Sequence, residues 1–190
     1  MASDMKAKTI ALISVFTAIT ILLVGSPLKL DAPYAPFLKY QIWEIPIVAV
    51  LLLFGLAASV LVVILNTLVL FVVFPGDLPT GPLYNLIAVL TMLLGISIAE
   101  ALVKRYRLKH ETVTATMSTV LSIVLRTTAM SLVNYTVLRF PYPIGYSLPE
   151  IVIIGFIPLI AIFNATLTLY TVPLGYFVAK ATGTSMKTFT

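Results

Sequence analysis

APFLKYQIWEIPIVAVLLLFGLAASVLVVILN, residues Ala35 to Asn66, opens on a proline-bracketed polar segment and passes a carboxylate at Glu44. It then stays apolar until the amide of Asn66. The apolar-dominated run continues to Phe74, and the 33 residues from Ile42 to Phe74 would form a helix about 50 Å long at the α-helical rise. The hydrocarbon core of a bilayer is about 30 Å thick, too thin for that length in one span. The run therefore folds back on itself, and Gly55 is the residue suited to the turn.

The rest of the chain reads in the same solvent. Of its 190 residues 60% are hydrophobic and 10% charged, and the mean hydropathy is +1.09, a balance that a water-soluble domain of this size does not show. Backbone polar groups in lipid must be satisfied internally, and the apolar runs are continuous where barrel strands would alternate, so helices are expected. The expectation is an all-α integral membrane protein, one domain over residues 1–190. Six transmembrane helices are predicted near residues 7–26, 42–54, 56–74, 83–103, 112–138 and 150–179.

Lys6 and Lys8 followed by the run Thr9 to Gly25 resemble a signal peptide. The run exceeds the roughly 7–15 residues of such a core and no A-x-A-like site follows, so a retained first helix is expected. The connection Pro27 to Gln41 carries Lys29, Asp31, Lys39 and three prolines, and belongs at a membrane surface. PGDLPTGP (Pro75–Pro82) and RFPYPIGYSLP (Arg139–Pro149) are loops by their turn chemistry. Pro158 and Pro173 fall inside the last helix, where kinks are expected.

Six crossings put both termini on one side. That side would hold Lys6, Lys8, Lys104, Arg105, Arg107, Lys109, Lys180 and Lys187, against Lys29, Lys39 and Arg139 on the other. The excess predicts cytoplasmic termini and a cytoplasmic loop between the fourth and fifth helices, in a multi-pass protein of the cell membrane.

Several function classes drop out. The net charge of +5 sits at helix ends, not on a face interleaved with aromatics, so no nucleic-acid partner is expected. There is no cysteine, hence no disulfide or thiolate site, and the single histidine, His110, lies in a charged loop. No metal site is expected. No phosphate-binding loop, zinc-protease spacing or G-x-S-x-G elbow occurs, so no catalytic residue is assigned and an enzyme is not expected.

The informative residues are polar ones in apolar surroundings. Asn66, Asn85, Asn134 and Asn164 fall, on this topology, toward the outer half of the bundle, and Glu44 enters from the same side. Intramembrane polar groups are costly and usually face the bundle interior or a cavity. One reading is a single outward-opening polar pocket; the other is that each amide ties neighbouring helices. Arg126, deep in the fifth helix, is either a structural pair with a buried carboxylate or with backbone carbonyls, or an anchor for an anionic or carbonyl-rich ligand. Glu100 stands four residues before Lys104, and an i,i+4 pair accounts for it. Tyr34, Tyr40, Trp43, Tyr84, Tyr135 and Tyr142 share the outer level as interfacial belt residues, one or two of which would be placed to stack on a flat ligand. On the first helix Ala7, Ala11, Ser14 and Ala18 make a small-residue face that admits close approach of another helix, from this chain or a partner.

With these residues in view, the chain resembles the substrate-binding S components of energy-coupling factor (ECF) vitamin transporters, most closely the riboflavin-specific ones. MKAKTIALISVFTAI (Met5–Ile19) is similar to the family's basic start and docking face, with Ser14 and Ala18 at the positions of its alanine pair. PFLKYQIWEIP (Pro36–Pro46) resembles the first loop and the start of the second helix. GLAASVLVVILNTLVLF resembles the third helix with its asparagine at Asn66, TGPLYNLIAV the start of the fourth at Gly81, Asn85 and Ala88, and IPLIAIFNATL the sixth at Pro158, Phe163 and Asn164. The chain departs at Gln41, where an aspartate is frequent, and at Leu65 and Leu167, where riboflavin binders often carry lysines.

The resemblance implies a vitamin-binding subunit, riboflavin being the transported ligand and no cofactor being needed. Its partners would be membrane lipid, a transmembrane coupling subunit and two ATPase subunits. On this reading the expected binding residues are Leu38, Lys39, Tyr40, Glu44, Asn66, Asn85, Arg126, Asn134 and Asn164, and the expected docking face is Ala7, Ala11, Ser14 and Ala18. Two alternatives stand beside it: an S component for thiamin, biotin or another vitamin precursor, and a small membrane enzyme or structural membrane protein.

Overall fold

A computed structural model describes residues 2–73, 78–107 and 111–188. Phe74, the first residues of the PGDLPTGP loop, the end of the basic cluster at Leu108 and Lys109, and His110 lie outside the described residues. Six helices follow one another: α1 (Ala2–Gly25), α2 (Ile45–Phe54), α3 (Leu56–Val73), α4 (Gly81–Arg105), α5 (Glu111–Val137) and α6 (Glu150–Thr188).

The folded-back stretch is built as its composition dictates. Pro46 lies in the first turn of α2, where a missing N–H costs nothing, and Glu44 is the N-cap residue, its carboxylate making no cap hydrogen bond. Gly55 breaks the run with φ of +88°, a conformation that side chains other than glycine rarely adopt, while its N–H still bonds Leu51 O at 2.9 Å. α2 and α3 then pack on each other.

α2 is only ten residues, about 15 Å of helix, half of a bilayer core. Its residues Pro46 to Leu51 are all buried, which explains an apolar character on every side. Together with Val62 and Val63 of α3, Val89, Met92, Leu93 and Ile96 of α4 and Val172 of α6 they form the core. The long helices instead turn apolar residues outward, among them Leu68 and Val72 of α3, Val124 and Leu132 of α5, and Leu169 and Phe177 of α6. α5 lies between α4 and α6, α6 reaches α2, and α1 packs on α2 and α3.

Two expectations are corrected. The connection Pro27–Gln41 is not plain loop: β1 (Leu30–Ala32) and β2 (Ala35–Tyr40) pair antiparallel, Leu30 opposite Tyr40 and Asp31 opposite Lys39, with an irregularity after Asp31. The helix limits shift, α1 starting at Ala2, α2 at Ile45 and α6 running unbroken through Pro158 and Pro173 to Thr188. Among the described residues four helices, α3 to α6, are long and apolar enough to cross a membrane, and Thr9–Gly25 of α1 and Ile45–Phe54 of α2 are shorter apolar stretches. The chain is thus a multi-pass membrane protein with at least these four candidate spans.

Candidate binding cavity

A hollow of about 510 Å³ lies between α4, α5 and α6, within the size range of small-molecule sites. Each helix contributes one face at helical spacing: Gly81, Tyr84, Asn85 and Ala88 of α4; Arg126, Met130, Val133, Asn134 and Val137 of α5; Phe156, Ile160, Phe163 and Asn164 of α6. Leu38 of β2, Leu78, and Leu138, Tyr146 and Leu148 from the segment joining α5 to α6 complete the wall.

That segment is held over the end of α5 by its backbone, with Tyr146 N–H and Leu148 N–H both donating to Leu138 O, at 3.3 and 3.1 Å. From α4, Thr80 Oγ1 donates to Pro143 O (2.9 Å) and Tyr84 Oη to Ile144 O (2.6 Å), so two helix ends fix the loop. α4 and α5 approach closely deeper down. A Cβ on Gly95 would lie 2.5 Å from Ser122 Cα, and Ser122 Oγ donates to Met92 O at 2.9 Å.

One turn beyond Ser122, Arg126 lies at the centre of a polar network. Its Nη1 donates to Glu44 Oε2 and its Nη2 to Glu44 Oε1 (2.9 Å), a bidentate ion pair with side chains only 4% and 5% exposed. Nη1 also approaches Met92 Sδ (3.5 Å), and Nε donates to Asn164 Oδ1 (3.0 Å), whose Nδ2 donates to Ile160 O (2.9 Å). A planar fork suits this double contact, and removing a buried charge from water is tolerable only when it is paired.

Of the nine residues expected to bind the ligand, Leu38, Asn85, Arg126, Asn134 and Asn164 line the hollow together. Asn134 spends its Nδ2 on Met130 O at 2.7 Å, leaving its oxygen for the hollow. Glu44 lies behind Arg126 and is not a lining residue. Lys39 is exposed and pairs with Asp31 at 3.2 Å. Tyr40 packs its ring on Phe163 (centroids 4.9 Å apart) and shares hydrogen bonds of 2.5 Å with Tyr34 Oη and Thr166 Oγ1. Asn66 is buried in α3, and neither its Oδ1 nor its Nδ2 has a partner among the described residues.

Phe156 and Tyr146 line the hollow without having stood out in the sequence. Phe156 stands eight residues before Asn164, on the same helical face, and that spacing was the available signal. Ala7, Ala11, Ser14 and Ala18 are all exposed, while Phe16, Thr20 and Val24 bury the opposite side of α1.

A second hollow, about 570 Å³, lies between the hairpin and α6, lined by residues including Pro27, Leu28, Leu30, Ile42 and Tyr170. Among the described residues its lining holds one amide, Gln41, against Asn85, Asn134 and Asn164 in the first.

No protein-family model matches the chain, and no curated protein matches it. Among solved structures it is similar to one described as the S component of a bacterial ECF transporter, with 24% identity over 92% of this chain and 97% of that one and a TM-score of 0.71. At that identity the likeness is one of fold.

Proposed function

We propose that this chain is the substrate-binding S component of an ECF-type transporter and that the cavity between α4, α5 and α6 takes riboflavin or a close flavin. The observation that carries the reading is the convergence of Asn85, Asn134, Asn164 and Arg126 on one hollow walled by Tyr84, Tyr146, Phe156 and Phe163. Amides and a guanidinium match the donor and acceptor edge of a flat heterocycle, and aromatic rings cover its faces. The fold likeness to an S component supports the same reading.

On this proposal the chain crosses the membrane six times, its termini and α4–α5 connection face the cytoplasm, and the cavity opens outward. The exposed small-residue face of α1 receives a transmembrane coupling subunit, ATP hydrolysis belongs to two partner ATPases, and the chain is not an enzyme. Equilibrium titration of the purified protein with riboflavin tests the reading. Binding at micromolar affinity or better, about −8 kcal/mol, is expected, and Asn164→Ala should weaken it at least tenfold. Absence of binding would remove the assignment. Leu167 is buried and uncharged and Leu65 lies on the outside of the bundle, which favours a second reading in which the same subunit takes another vitamin. A thermal-shift screen across vitamins separates the two, because only a tight binder raises the melting point appreciably.

A further inference from the structure

The cavity holds a formal charge, yet that charge is already spent. Among the described lining residues Arg126 is the one Lys, Arg, Asp or Glu, and Glu44 meets its guanidinium with both oxygens from outside the cavity. The contacts to Glu44, Met92 and Asn164 account for four of the five guanidinium N–H groups, leaving one on Nη2 for a ligand acceptor. The cavity end at Arg126 thus has donor capacity with no net charge.

We infer that Glu44, through Arg126, sets the charge class of the ligand: the Arg126 end of the cavity accepts an uncharged acceptor such as a ring carbonyl and rejects an anion. Glu44 is a positioning residue here, touching Arg126 and not the cavity. The physical reason is asymmetric. A neutral carbonyl gains the free N–H at little desolvation cost, because the pair stays neutral overall. An anion brought to the same place loses its hydration and meets a cation whose partner carboxylate lies within the same few ångströms, so the attraction is largely cancelled by repulsion. Without the carboxylate, the same guanidinium becomes an uncompensated buried cation and the preference should turn toward anions.

The inference rests on the flavin reading, and its test is arranged to separate the two. Dissociation constants are measured for riboflavin, for a riboflavin analogue with a carboxylate on the benzenoid ring, and for FMN with its side-chain phosphate, so that a negative charge is offered at either end. In the wild-type protein at least one of the two anions should bind a hundredfold or more weaker than riboflavin. Glu44→Gln should narrow that gap at least tenfold by a gain in anion affinity, and E44Q/R126Q, which has no unpaired charge, should reopen it. A merely structural role for Glu44 would weaken all three ligands together and leave the ratios fixed, which overturns the inference while leaving flavin binding standing. Should E44Q fail to fold, the wild-type ratios still decide, since equal affinity for riboflavin and both anions overturns it too. If wild-type protein binds none of the three, the proposed function fails and this inference with it.

Discussion

At the scale of single residues, the two polar groups that matter most differ in whether they are satisfied. Asn66 is 1% exposed with neither side-chain atom partnered among the described residues, so it bears a desolvation cost with no return. Leucine has the same branching at Cγ, and Asn66→Leu is expected to stabilise the protein by about 1 kcal/mol or more, read as a higher melting temperature with riboflavin affinity unchanged. A lower melting temperature would show that the amide has a partner in the membrane. Arg126 is the opposite case. Arg126→Met strands Glu44 in the interior and should cost about 3–5 kcal/mol, whereas Glu44→Leu combined with Arg126→Met should recover most of that loss. A double-mutant cycle followed by thermal unfolding checks it, and additive losses would mean that the pair is not coupled. Both residues were visible in the sequence as polar groups out of place, but their fates were not. The rise along a helix gives the depth of Asn66, while its azimuth depends on which neighbour α3 packs against. With apolar residues on every side of α3, nothing local marks the face turned away from the cavity.

At the scale of elements, the order of the helices and the turn at Gly55 were legible because lipid admits few alternatives to a continuous helix. The β1–β2 hairpin was not, since Pro27, Pro33 and Pro36 read as loop punctuation, and a three-residue strand has too little alternation to show a period. The face of α6 that lines the cavity was legible at Asn164, while at Phe156 only its spacing from Asn164 marked it, because an aromatic residue in a membrane helix is as ordinary facing lipid as facing a ligand. The crossing of α4 and α5 yields a sharper test. Gly95 has no room for a side chain against the Ser122 backbone, and Arg126 lies one turn further along α5. Gly95→Ala should therefore push the helices apart, lower stability by about 1–3 kcal/mol, and weaken riboflavin binding by displacing the guanidinium. Thermal unfolding and titration read the two effects separately, and a variant that melts and binds like the wild type would refute the tight crossing.

At the scale of the whole molecule, the cavity and the small-residue face are on different helices. The hollow is enclosed by α4, α5 and α6, while α1 packs on α2 and α3 and leaves Ala7, Ala11, Ser14 and Ala18 exposed. α2 joins the two regions: it is buried, touches α1, and begins at the carboxylate that holds Arg126. On the proposed function, this arrangement would let ligand capture be complete within the chain and leave coupling to a partner to a surface outside the cavity lining. Ser14→Leu with Ala18→Leu adds bulk to that surface alone and buries nothing new in the core. Riboflavin affinity of the isolated protein should stay within a factor of about two of the wild type and its melting temperature should be unchanged, because exposed positions away from the core contribute little to stability. Flavin uptake by cells supplying the coupling subunit and ATPases should fall at least tenfold, since close helix approach depends on small side chains. Uptake at the wild-type rate would mean that the partner docks elsewhere, and a loss of affinity in the isolated protein would mean that α1 supports the cavity itself.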